Sequence, residues 1–159
     1  MDNEIQTTAE LVENQHMPRS RVVHTDPAAP ASPEQQPLPS AVARKPVEEK
    51  SPAEWAYQRL ILYIKNFEEQ LDGEHEVAMG FTGGSAGVMR IEGLGFYDPD
   101  LITFYGAEPN GVRTHLVQHV SQLNVMLRAL PKGNPEAEPN RIGFRLAADL
   151  EEDEDSAKA

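Results

Sequence analysis

Apolar residues recur at three- and four-residue steps just after Ser51, and this is where the chain first commits to a structure. Tyr57, Leu60, Ile64, Phe67 and Leu71 fall on one side of a helical wheel. Ser51-Pro52-Ala53-Glu54 opens the segment as a capping box with proline pre-set at the first helical position, and Gly73 is placed to close it. The pattern predicts a helix over residues 52–72. On the same wheel Trp55 and Leu62 point away from the stripe.

The period then changes to two. Residues 76–81 alternate with Val77, Met79 and Phe81 on one side, and residues 88–96 and 101–105 are apolar and aromatic, as strands prefer. Their connections, residues 82–87 and 97–100, are short, so adjacent strands should pair antiparallel as a meander. Asp98-Pro99 suits a type I turn. The alternation slips near Gly93 and Gly95, which predicts a bulge in the middle strand.

Leu116, Val120, Leu123, Leu127 and Leu130 return to helical spacing and predict a second helix over residues 112–130, stopped by Pro131. Ile142, Phe144 and Leu146 alternate with Arg141, Gly143 and Arg145, which predicts a last strand over residues 141–147. The fold expected is a two-layer α+β domain. Its order is helix, three strands, helix, strand, with an antiparallel sheet and both helices on one face.

Composition separates this domain from its flanks. Residues 51–147 hold all five Phe, all four Tyr and the only Trp, while residues 1–50 hold no aromatic and seven of the thirteen prolines. A segment that buries little apolar area cannot offset its ordering entropy, so residues 1–50 and 148–159 are expected as solvated, disordered arms. The net charge of −12 divides into −3, −4 and −5 over these three parts. A chain this acidic repels a phosphate backbone. With no cysteine and no apolar run long enough to span a bilayer, the reading is a soluble cytoplasmic protein, outside the membrane.

Four constellations are candidates for chemistry. His115 and His119, four apart on the predicted helix, have the spacing of a metal-ligand pair, but Leu116 stands where a zinc protease carries its glutamate. The alternative is a half-buried polar flank. Gly80, Gly83, Gly84 and Gly87 lead into a strand rather than a helix, so they read as a hairpin connection and not as a phosphate cradle. Arg90, Arg141 and Arg145 with Tyr105 are placed to share the open face of the sheet as a stacking platform for single-stranded nucleic acid. Against that, the arginines suit cross-strand pairing with Glu76 and Glu92. Trp55 and Leu62 make an interface to a protein partner or a second copy, unless the preceding arm or the terminal loop folds over them or they are simply exposed.

The runs Ser51-Pro52-Ala53-Glu54-Trp55-Ala56, Gly95-Phe96-Tyr97-Asp98-Pro99-Asp100-Leu101-Ile102-Thr103-Phe104-Tyr105-Gly106 and Gln118-His119-Val120-Ser121-Gln122-Leu123-Asn124-Val125-Met126-Leu127 resemble a family of small bacterial proteins classified only as a domain of unknown function. The resemblance covers about residues 51–147 and implies a bacterial cytoplasm but no activity. The expected element order also resembles the first part of the type III secretion chaperone fold, an analogy of topology and charge alone.

No paired nucleophile and base, carboxylate pair or cofactor motif stands out. The reading is a non-enzymatic interaction or adaptor module, self-associating through Trp55 and Leu62 or through a free sheet edge. The alternatives are a metal-dependent protein using His115 and His119 and a single-stranded nucleic-acid binder.

Overall fold

The computed structural model describes residues 18–80 and 87–158, with side chains through residue 153. Three helices, α1 (Ser40–Ala43), α2 (Pro52–Glu69) and α3 (Ile142–Lys158), accompany five strands, β1 (His75–Gly80), β2 (Val88–Tyr97), β3 (Leu101–Ala107), β4 (Arg113–His119) and β5 (Met126–Pro131). The strands form one antiparallel sheet in the order β4-β3-β2-β1-β5. The meander through β1, β2 and β3 is as the sequence predicts, and Phe81, Gly83 and Gly84 lie outside the described residues.

α2 starts where expected. Ser51 accepts the Glu54 N–H at 3.1 Å, and its hydroxyl also meets Asp98 Oδ1 at 2.5 Å, while Ala53 N donates to the Pro99 carbonyl at 2.9 Å. The turn between β2 and β3 thus holds the first turn of α2. The Asp98–Pro99 peptide is cis, not the type I form anticipated.

The bulge is present. Register between β2 and β3 shifts between Ile91 and Gly93, leaving Glu92 as the extra residue. Nearby the strands approach so closely that a Cβ on Gly106 would lie 1.8 Å from the Arg90 carbonyl oxygen.

Two elements differ in type from the prediction. The segment expected as a helix over residues 112–130 is β4, a 3-10 turn at Val120–Gln122 and β5. Leu123, Val125 and Leu127 alternate at a period of two, and all three pack on the core from alternate positions. The leucines four apart arise because β4 and β5 flank a tight turn. The segment expected as a strand over residues 141–147 is instead the start of α3, which buries Ile142, Gly143 and Leu146. Ile142, Leu146 and Leu150 recur at four, and that spacing wins over the shorter alternation. With the expected order of elements gone, the analogy to the chaperone topology goes too.

α2 and α3 cover one face of the sheet. Tyr57, Ile61 and Ile64 from α2 and Ile142 and Leu146 from α3 bury Val77, Met79, Met89, Ile91, Leu94, Ile102 and Phe104. A single carboxylate joins the two helices: Glu68, almost fully buried, accepts the Gly143 N–H at 2.9 Å and the Phe144 N–H at 3.2 Å. These are orphan donors of the first turn of α3. Burial pushes the Glu68 carboxyl up, opposed by those two bonds and by Arg141. A Cβ on Gly143 would lie 2.7 Å from the Lys65 nitrogen, so only glycine admits this approach.

Both flanks, read as solvated chain, make structure in their described parts. α3 continues through the acidic segment to Lys158. Residues 18–50 form two 3-10 turns, Pro33–Gln35 and Val47–Glu49, and α1, and they lie along the outer side of α2.

Candidate functional site

Trp55 projects from α2 away from the sheet, yet only 8% of its surface is exposed. Its indole N–H donates to the Val47 carbonyl at 3.0 Å, and its ring lies between Lys50 Nζ at 4.0 Å and Arg59 Cζ at 4.4 Å from the centroid. Lys50 is itself buried, donating to the Val42 carbonyl and to Gln58 Oε1 at 2.6 Å. Further along α2, Asn66 donates to the Ala31 carbonyl at 2.8 Å and the Tyr63 hydroxyl to Glu34. Leu62 is half-buried in the wall between α2 and the arm. The expectation that this face needs another polypeptide is therefore corrected: the cover is the chain's own preceding segment. The first fifty residues lack aromatics, but the Val47 carbonyl and the Lys50 side chain are enough to seat one indole.

The histidines also change meaning. On a strand, residues four apart share a face but stand about 13 Å from each other, so His115 and His119 cannot hold one ion. His119 pairs instead with Asp100 at 3.0 Å and Ser121 at 2.8 Å, and the His115 ring meets Tyr105 edge-on with centroids 4.8 Å apart. Among the described residues no group of three or more His, Cys, Asp or Glu is placed to hold a metal.

The arginine platform is not assembled. Arg90 lies on the open face, bound to Glu76 at 3.1 Å and the Pro131 carbonyl at 2.6 Å. Arg141 sits at the start of α3, donating to the His75 and Asp72 carbonyls, and Arg145 is exposed on α3. Of the four residues only Arg90 and Tyr105 share the sheet. Arg141 was misplaced because its segment is a helix.

The leucine spacing hides what the sheet does present, because it makes β4 read as helix. Register places Tyr97, Leu101 and His119 in one row of the uncovered face, Gly95, Thr103 and Val117 in the next, and Gly93, Tyr105 and His115 in a third. Tyr97 is 74% exposed and Val117 62%. Gly93 and Gly95 leave a shallow trough beside the Tyr105 ring, which a Cβ on Gly93 would meet at 3.3 Å.

This face ends at β4, which among the described residues pairs only with β3. The two edges of the sheet differ in chemistry. β5 carries Arg128 and ends in Pro131, followed by Lys132, devices that discourage a further strand. β4 is seven residues long, contains no proline, lysine or bulge, and has its one permanent charge, Arg113, at its end, tied to Glu92 at 2.9 Å. The alternation Thr114, Leu116, Gln118 against His115, Val117, His119 was the signal that could have revealed it.

Among the described residues no helix is long and apolar enough to cross a membrane. No curated protein and no solved structure matches the chain. Residues 45–145, which contain α2, the whole sheet and the start of α3, match the model described as Family of unknown function (DUF6173), and the chain belongs to that family.

Proposed function

We propose that the protein is a non-enzymatic protein–protein interaction module that pairs with a second copy of itself, β4 against β4, so that two sheets continue as one. The observation that carries this reading is the β4 edge, which no further strand joins among the described residues, beside a face bearing the exposed Tyr97, Tyr105 and Val117. An edge of this kind presents a row of unpaired N–H and C=O groups that template another strand.

The second copy is the occupant that the strand's own sequence suits. An antiparallel pair centred on Leu116 sets Leu116 against Leu116, His115 against Val117, Thr114 against Gln118 and Arg113 against His119. No permanent like charges meet, and each Val117 would come to rest beside the partner's His115, extending the row that starts at Tyr105. Each new backbone hydrogen bond contributes about 1 kcal/mol. A bacterial cytoplasm is the compartment that goes with this reading.

Sedimentation of the full chain tests it. A mass near twice 17.6 kDa is expected. In His115→Lys/Val117→Lys two lysines face each other twice across the axis, and that variant should sediment as a folded monomer. A native chain that stays monomeric over a wide range of concentration would remove the reading.

A further inference from the structure

The arm and α2 meet around one buried amine. Lys50 is 7% exposed, and its Nζ donates to two oxygens, the Val42 carbonyl and Gln58 Oε1 at 2.6 Å, with the Trp55 ring centroid 4.0 Å away. Both acceptors are neutral. Two N–H donors satisfy them, as many as an uncharged amine carries, whereas an ammonium has a third to place. The charged groups that act on Lys50 are Glu54 and Arg59 from α2 and Lys45 from the arm. The one acid among them, Glu54, is shared with Lys45 at 3.1 Å, and the two cations oppose a third. Closing the arm therefore strips water from a charge that has no carboxylate of its own to offset the cost.

The arm is also built to come away as a unit. No described element of it joins the sheet, and its polar bonds to α2 reach the side chains of Trp55, Gln58, Tyr63 and Asn66. We infer that the arm is a strap that opens from α2 while α2, α3 and the sheet stay folded, and that proton uptake by Lys50 opens it, uncovering Trp55 and Leu62. The sign follows from burial, which lowers the closed-state ammonium from 10.5 to about 8. An open arm returns Lys50 to water, so between about pH 8 and 10.5 the open state binds more protons, and acidification through that window favours it. The second tie keeps its protonation throughout: the Tyr63 bond holds the Glu34 carboxyl below its ordinary range, while burial and that bond push the Tyr63 phenol up to about 12. The strap is independent of the sheet edge and its proposed role.

Thiol labelling of the full chain tests the inference, because the chain has no cysteine and one introduced thiol reports alone. Val42→Cys places it in the buried part of the arm and Val77→Cys in the sheet core. Each labelling rate is divided by that of the same chain unfolded in denaturant at the same pH, which cancels ionisation of the thiol itself. Near pH 7.5 the Val42→Cys thiol should label at least about tenfold faster than the Val77→Cys thiol, as a locally opening segment does. From about pH 9.5 to about pH 7.5 its relative rate should rise about twentyfold, the factor that closed and open values of about 8 and 10.5 give. In Lys50→Met/Val42→Cys the relative rate should not change with pH. Equal protection of the two thiols, a pH-independent Val42→Cys rate, or the same rise without Lys50 would each overturn the inference.

Discussion

The outer side of α2 and the open face of the sheet both carry large apolar side chains that the central core leaves unused, and they have opposite fates. Over α2 the arm closes: Val42 is fully buried, Trp55 has a carbonyl for its indole N–H, and Tyr63 and Asn66 are bonded to the arm. Over the sheet no segment of the described chain closes, and Tyr97, Tyr105 and Val117 stay at 74%, 40% and 62% exposure. An outward aromatic on a helix is thus no evidence by itself of a partner.

Substitutions on the two surfaces should separate them sharply. Trp55→Ala removes a buried indole and should lower the unfolding free energy by about 3–5 kcal/mol, measured by denaturant titration. A change below 1 kcal/mol would mean that the arm does not hold this side chain in solution. Glu68→Ala strands two N–H groups at the start of α3 and should cost about 1–3 kcal/mol in the same titration.

The covered side also has a pH signature. Burial is the main cause that lowers the Lys50 ammonium from 10.5 to about 8, against the pull of Glu54. The folded chain then releases this proton before the unfolded chain does. Between about pH 8 and 10.5 the unfolded state binds more protons, so the contribution of this residue to stability rises with pH. The difference in stability between the native chain and Lys50→Met should therefore grow in favour of the native chain across that window. A flat difference would place Lys50 in water. On the open face, by contrast, Val117→Ser should shift folding stability by no more than about 0.5 kcal/mol.

The sequence was legible where a local rule acts alone. The cap at Ser51, the three-strand meander and the bulge near Gly93 all depend on neighbours within a few residues, and each is where the pattern puts it. It misled where two periods overlapped. Leu116, Val120, Leu123 and Leu127 fit a helix, while Leu123, Val125 and Leu127 alternate at a period of two, and the β-branched Thr114 and Val117 favour the strand in β4. Residues 141–147 misled in the opposite direction, since their continuation through Leu150 carries the helical stripe. The candidate site suffered from the same error: a metal pair on a helix became two separate histidines on a bare edge. Arm docking was beyond a local reading, because Val47 and Lys50 acquire meaning only against Trp55.

The most direct test of the edge-to-edge dimer is a charge swap that repairs what it breaks. In His115→Glu/Val117→Lys, each glutamate would face the partner's lysine in the register centred on Leu116, whereas His115→Lys/Val117→Lys opposes lysine to lysine. Sedimentation should find the first variant dimeric, at least as tightly as the native chain, and the second monomeric. Two variants with the same mass, whether both paired or both single, would contradict the account.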